Sequence, residues 1–526
     1  MKKNIDIFRL FFCIYLIQIS VFAQNNQPVE IKNEAPIQAV GISFDKIAKY
    51  HREHPDLKKT IIKAENNGVK NPKFETIRNK KTPKNLESKP MGQMIEANPD
   101  ISTKNARVNE PFPCRNFGAL NQLNNSIPPD VNGAVGFNHV MTTLNDQVRI
   151  QDKNGNILST VTLLAFFQAA FGGVTDVFDP KITYDPYNHR YIFVVAAQRR
   201  SAASSFILAI SQSADPTAGW WFYQIDADGD DNEWFDYPSM GFNKKWIMVN
   251  GNMFGNPLAD GGSTIRRNFV FRKFDLYAGA GTTYNSWDVS AYSTICPAIT
   301  LDNNIEELWC VTNDDVNDND LRLFKVSGGY TTPSFTEEGW ITVGTDWAPT
   351  GPTAPQSGGT GIDAGDHRVQ SVFYRGGSLW SAQTVFLPVS NPTTATAQFV
   401  RMNPYAETHI ETIRVGSSST SMFAYPSVAI NADGDLFTGF AAFSTTTFAS
   451  GWTMYRRNGS STFNFFNIAN GLGNYVANDS KKMIELLGRF KNLPIQVILG
   501  LPVGQRFALQ TAQRLFRFRV LMEAGR

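Results

Sequence analysis

The chain has little of what many enzyme centres are built from. Six histidines and four cysteines are scattered over 526 residues, and none of them falls into a zinc-ligand spacing. No glycine-rich loop opens a helix in the manner of a phosphate cradle, so nothing calls for a nucleotide. GGSTI and GSSST have the composition of loops and lack the strand–turn–helix setting of a nucleophile elbow. Acids and bases nearly cancel, leaving a net charge of +2, which gives no electrostatic case for nucleic acid or an anionic membrane. Beyond the N-terminus no apolar run is long enough to span a bilayer, so no membrane span is expected.

Aromatic residues (12%) and 40 glycines are plentiful instead, and apolar residues make up 42% of the chain. That composition suits a large β core. The stretch 178–226 reads as four strands: FDPKITYD, a turn at PYNHR, then YIFVVAAQ, SFILAISQS and WWFYQID. Each run is β-branched or aromatic and is punctuated by Gly, Pro, Asn or Asp. The marker of this unit, a proline before an apolar strand, stands at Pro129, Pro180, Pro238, Pro297 and Pro426. The steps from Pro180 are 58, 59 and 129 residues, which places an unmarked unit near residue 361. Repeats of this length with four strands each predict an all-β chain, a six- or seven-bladed β-propeller of four-stranded antiparallel blades.

Four segments are expected. Residues 1–23 (MKKNIDIFR, an apolar run, then Val21 and Ala23) read as a signal peptide, implying a secreted protein, extracellular or at the cell surface. Residues 24–110 are lysine-rich and poor in aromatics, a polar linker or pro-segment in which FDKIAKYHREHPDLKKTIIKAE can form short helices around Pro55. The propeller covers 111–480. The basic tail 481–526 resembles no earlier unit and reads as a divergent last blade or an altered reading frame.

Three groups of residues carry chemistry. The loop DADGDDNEWFD brings Asp226, Asp228, Asp230, Asp231 and Glu233 together, an oxygen-rich set suited to Ca²⁺. It is not an EF-hand, because Asp231 and Tyr237 stand where Gly and Glu are needed. The loop NDDVNDNDLR from Asn313 has a similar composition. Asp366 and Arg368 form a turn-borne charged pair that can line a central channel, with Arg375 and Arg401 as further cations; an ordinary turn ion pair is the plainer alternative. Cys296 and Cys310 lie symmetrically about a turn near Asn303, as a cross-strand disulfide or as two buried thiols, and Cys114 is left over. Nine tryptophans (Trp220, Trp221, Trp234, Trp287, Trp309, Trp340, Trp347, Trp380 and Trp452) offer aromatic surface for sugar stacking, although most are expected in the core.

PPDVNGAVGFNHV, FDPKITYDPYNHRY, SADPTAGWWFY, EWFDYPSMGF, GIDAGDHRVQSVFYRGGSLW and YPSVAINADGDLFTGF together resemble a family of secreted, Bacteroidetes-type bacterial β-propellers with sialidase-like architecture. SADPTAGWW looks like a degenerate Asp-box, with Ser213, Asp215 and Trp220 in place. The resemblance implies a propeller whose Asp-boxes are structural turns. The arginine strand of sialidases is absent; the nearest string, FVFRKFDL, lacks its proline. Non-catalytic recognition of an extracellular glycan or protein is therefore the expected function. The alternatives are a sialidase-like glycoside hydrolase and a structural surface protein.

Overall fold

A computed structural model describes residues 28–31, 36–55, 57, 93–95, 115–121, 128–255, 265–313, 320–344, 346–359, 361–416, 419–475 and 494–499. Consecutive four-strand antiparallel meanders fill 132–162, 177–226, 233–288, 296–342, 369–415 and 421–469. They are set in a β-propeller arrangement, each meander packing its sheet faces against its neighbours. The second meander follows the sequence reading closely: Val177–Asp185, Arg190–Ala197, Ser205–Ser211 and Gly219–Asp226. The middle two of these strands are almost continuous apolar runs because both of their faces are covered. One cluster of buried side chains runs from Ile192 and Phe206 through Phe235 and Phe269 to Phe373, Phe399 and Trp452, so several meanders share one core.

The first strand of each meander is the inner one. Inner strands run parallel to one another where they touch, with Phe242 opposite Ile299 and Ile299 opposite Phe373. A bulge interrupts several of them at the repeat's X-Pro step. The residue before the proline is left-handed at Asp179 (φ 52°), Tyr237 (φ 54°) and Tyr425 (φ 56°), and the ladder slips across the partner strand at the same points. Such a backbone costs roughly 1–3 kcal/mol per residue and persists only where its surroundings fix it. Side chains from other elements do so: the Asp179 N–H donates to Asn145 Oδ1 (2.8 Å) and the Tyr425 N–H to Thr384 Oγ1 (2.9 Å). The Phe235 N–H, beside the Tyr237 bulge, donates to Ser204 Oγ (2.9 Å). The recurring proline thus marks a bend that a neighbouring sheet holds in place.

The unmarked unit begins later than its spacing suggests. Its inner strand is Val369–Arg375, with the bulge between Val369 and Ser371. A long connection over 343–368, tied by the bridges Ala348–Phe386 and Ala354–Ile362, displaces it from residue 361. Period alone cannot see an insertion of this kind. The degenerate Asp-box is a structural turn, in which Asp215 accepts from the Thr217 N–H (2.8 Å) and Trp220 Nε1 donates to the Pro216 carbonyl (2.9 Å).

The segment 24–110 departs from a free polar tail where it is described. Val29–Ile31, Val40–Ser43 and Gln93–Ile95 add outer strands to three meanders, covering sheet edges whose N–H and C=O rows would otherwise stay open. The helix Phe44–Glu53, capped by Ser43, buries Phe44 and Ile47 beside Phe166 and Trp220. A few apolar residues in a lysine-rich stretch suffice to dock it. The signal segment 1–23, Cys114, residues 314–319 of the second acidic loop and most of the tail lie outside the described residues. The described piece of the tail is the strand Pro494–Leu499, which pairs with Arg115–Asn121.

Candidate functional site

The bulges carry side chains from several meanders to one place. Asp130 (φ 45°) precedes the first inner strand, Asp179 and Lys181 flank Pro180 on the second, and Asp236 and Tyr237 precede Pro238 on the third. Cys296 begins the fourth, and Asp366 and Arg368 precede the fifth. Lys181 feels the charges of Asp130, Asp179 and Arg368 and lies near the Cys296 thiol. Tyr237 feels Arg368, Asp366 and Asp179. The Arg368 guanidinium lies over the Tyr237 ring at 4.5 Å and the Lys181 ammonium at 5.5 Å from its centroid. A phenol ring with two cations within 6 Å of its centroid is thus the hub of the constellation.

Arg368 grips Asp366 in a bidentate pair, Nε at 2.7 and 3.0 Å from the two carboxylate oxygens and Nη2 at 2.6 Å from Oδ2. The side chains are 27% and 23% exposed, so water reaches a pair that protein otherwise encloses. Burial pushes the Asp366 carboxyl up, but the Arg368 charge and its hydrogen bonds prevail and hold it at about 2. His367 between them is an anchor: Trp347 Nε1 donates to its Nδ1 (3.0 Å), and Asn313 Nδ2 donates to its carbonyl. Asp130 accepts from Asn145 Nδ2 (2.5 Å), the same side chain that fixes the Asp179 bulge.

Asp236 behaves differently. Burial first, and then the charge and hydrogen-bond proximity of Asp179, raise its pKa to about 8. Asp236 therefore keeps its proton at neutral pH, because a second buried negative charge beside Asp179 is unfavourable. Burial also lowers the Lys181 pKa and pushes the Cys296 thiol up to about 12. The folded state therefore holds a proton on Asp236 that the unfolded chain releases above pH 4, and stability falls as pH rises from about 4 to about 8. Asp236→Asn is expected to remove that slope. The variant should match the wild type near pH 4 and exceed it by about 1–3 kcal/mol at pH 9. Guanidinium titrations at three pH values check this, and parallel profiles would refute it.

Arg375 does not join this group. It sits at the far end of its strand, roughly 20 Å along it from Arg368. It donates to the Ile430 carbonyl (3.3 Å) and faces Tyr187, Asp302 and Asp433. Arg401 is also apart, ion-paired with Glu411 (3.7 Å) and stacked on Trp380. Cys296 and Cys310 are free and buried. Cys296 is registered opposite Val311 and Cys310 opposite Pro297, and this one-residue offset turns the two thiols to opposite sheet faces. They pack into different clusters, so a disulfide is ruled out by register. Of the nine tryptophans singled out, Trp340 is 57% exposed and Trp221 half-buried, and the other seven are core. A tryptophan-lined face is not what this chain presents. The acidic loop does bring its carboxylates together: oxygens of Asp226, Asp228 and Asp231, and of Asp228, Asp230 and Glu233, lie within 4.8 Å of one another.

Asp130, Asp179, Lys181, Asp236 and Tyr237 were not legible as site residues. Their signal was the proline marker itself, because the residues beside it are the ones the bulge turns inward. Chemically the constellation offers a guanidinium, an ammonium, a phenol and carboxyls in both protonation states, a set that can donate to and accept from a hydroxyl-rich ligand.

No protein-family model matches the sequence, and no curated protein matches it as a relative. Solved structures are similar to it at low identity. The subtype N10 neuraminidase-like protein of A/little yellow-shouldered bat/Guatemala is 9% identical, with a TM-score of 0.37 over 68% of this chain and 99% of that one. A hypothetical selenium-binding protein from Sulfolobus tokodaii is 10% identical, with a TM-score of 0.40 over 65% of this chain and 82% of that one. The α-L-arabinanase of Cellvibrio cellulosa is 9% identical, with a TM-score of 0.29 over 65% of this chain and 95% of that one.

Proposed function

We propose that this chain is a secreted β-propeller of six blades that recognises an extracellular glycan or protein through the constellation around Tyr237, without turning its ligand over. The observation that carries the reading is the convergence of Lys181, Asp236, Tyr237, Asp366 and Arg368 from different inner strands onto one water-reached spot. Six blades are supported by the seam between the first and last meanders, where Val131, Val135 and Val140 share a cluster with Ile468. Recognition is favoured over hydrolysis by how the carboxyls are engaged. Asp366 is clasped by Arg368, and Asp179 and Asp236 are within hydrogen-bond reach of each other. Glycosidase carboxyl pairs stand about 5–5.5 Å apart or wider to admit a sugar carbon or a water. A carbohydrate-active enzyme remains the second reading, favoured by one feature: Asp236 is protonated and Asp366 ionised at neutral pH, the division of labour an acid and a base need.

The test is incubation of the purified protein, freed of residues 1–23, with sialosides, neutral polysaccharides and extracellular proteins. Retention and released product are followed together by mass spectrometry. Saturable retention without product is expected. Released sugar would replace recognition by hydrolysis, and absence of both would leave a structural surface role.

A further inference from the structure

The connection between the second and third meanders is a second polar centre, separate from the constellation around Tyr237. Asp226 ends the strand Gly219–Asp226, and Glu233 begins the strand Glu233–Phe242. Asp228 lies between them and is 1% exposed. Its Oδ2 accepts the Glu233 N–H, but its Oδ1 is buried and has no hydrogen-bond partner. A carboxylate oxygen removed from water without a donor is costly, by several kcal/mol when charged. Burial raises the Asp228 pKa, and Asp226 raises it further against the Glu233 hydrogen bond.

The neighbours deepen the imbalance. Oxygens of Asp226 and Asp231 lie within 4.8 Å of each other and of an Asp228 oxygen, as do those of Asp230 and Glu233. Arg267 brings one positive charge, spent on the Ala227 carbonyl (2.6 Å) and Glu233 Oε2 (3.3 Å). Five carboxyls against one guanidinium, all donors being oxygen, is the chemistry of a hard divalent cation. Size separates the candidates. Ca²⁺ binds oxygen at about 2.3–2.6 Å in irregular shells, so its ligands lie up to about 5 Å apart, whereas Mg²⁺ demands an octahedron at about 2.0–2.1 Å.

We propose that Asp228 Oδ1 is a ligand of a Ca²⁺ ion completed by Asp226 and Asp231, the set whose carboxylates are not drawn off, since Glu233 is held by Arg267 and Asp230 by Asn232. The ion ties the outer edge of one meander to the inner strand of the next. That strand carries Asp236 and Tyr237 three and four residues beyond Glu233, so occupancy fixes the start of the element that presents them.

The experiment uses the full secreted chain, stripped with chelator. Isothermal titration is expected to give one Ca²⁺ per chain, and differential scanning fluorimetry a Ca²⁺-dependent rise in Tm that Mg²⁺ does not reproduce at equal concentration. Tb³⁺ bound there should luminesce on excitation of the nearby Trp234 and be displaced by Ca²⁺. Asp228→Asn keeps the side-chain shape and is expected to weaken Ca²⁺ binding about tenfold or more. In chelator the same variant should be at least as stable as the wild type, because it removes a bare buried charge. No stoichiometric Ca²⁺ binding, an equal response to Mg²⁺, or an unchanged affinity in Asp228→Asn would each overturn the proposal.

Discussion

Replacing Lys273 by methionine is expected to lower the stability of the folded chain by about 3–5 kcal/mol, the usual consequence of stranding one member of a buried ion pair. Lys273 lies in the short helix Lys273–Ala278 of the third meander, and its Nζ donates to Asp185 Oδ2 of the second at 3.1 Å. The two side chains are 1% and 0% exposed. Tyr277 donates to the same oxygen (2.9 Å), while Asp185 Oδ1 accepts the Tyr187 and Asn188 N–H groups at 2.9 and 3.2 Å. One carboxylate therefore closes its own hairpin turn and pins the next meander to it. Methionine fills the volume of the lysine stem but leaves the anion with its neutral donors alone, the Tyr277 phenol and the two turn N–H groups. The double variant Lys273→Met with Asp185→Asn should regain most of the loss, since a neutral amide can still accept both turn N–H groups and meet the Tyr277 hydroxyl. Guanidinium denaturation of both variants measures this. Equal stability of Lys273→Met and the wild type would show that the pair contributes nothing net.

The same pair shows where sequence reasoning stops. The strand ending at Asp185 and its turn at PYNHR were legible, because period-two apolar runs and turn residues are local signals. That Asp185 meets a lysine 88 positions away is a property of how sheets stack, which no local pattern encodes. The central site divides in the same way. Asp366 and Arg368 stood out as opposite charges two residues apart on a turn. Asp179 and Tyr237 were hidden in what read as strand residues, because a left-handed bulge before proline inverts the face to which the strand's alternation would assign them. Of the two readings of Cys296 and Cys310, the buried thiols hold and the facing pair does not: the actual offset of one residue put their side chains on opposite faces. The helix Phe44–Glu53 lies in the stretch expected to form one, but its docking and the added strands of 24–110 were missed because composition averages over a segment, while docking depends on a few residues such as Phe44 and Ile47.

Arg368→Ala has the second large expected effect, and its pH dependence tells structural loss from a failure to fold. Asp366 is held at about 2, below its ordinary 3.8, because the charge and hydrogen bonds of Arg368 outweigh the cost of burial. A carboxyl whose folded pKa is depressed contributes stability that is present above its unfolded pKa and disappears as pH falls through the folded one. Nearly two pH units correspond to roughly 2 kcal/mol, at about 1.4 kcal/mol per unit. Above pH 5 the variant should therefore be less stable than the wild type by about 2 kcal/mol, with lost packing over the Tyr237 ring adding to it. The gap should narrow between pH 4 and pH 2, where protonation of Asp366 abolishes the charge pair in both proteins. Arg368→Lys keeps the charge but loses the planar fork that reaches both Asp366 oxygens and lies over Tyr237, so it should recover only part of the difference. Both variants should lose ligand retention at pH 7, the alanine variant at least tenfold, because the fork also presents solvent-reached donors to the constellation. A stability gap that stays constant down to pH 2 would mean that Arg368 acts through packing alone. Undiminished retention by a folded Arg368→Ala would move the binding face elsewhere on the propeller.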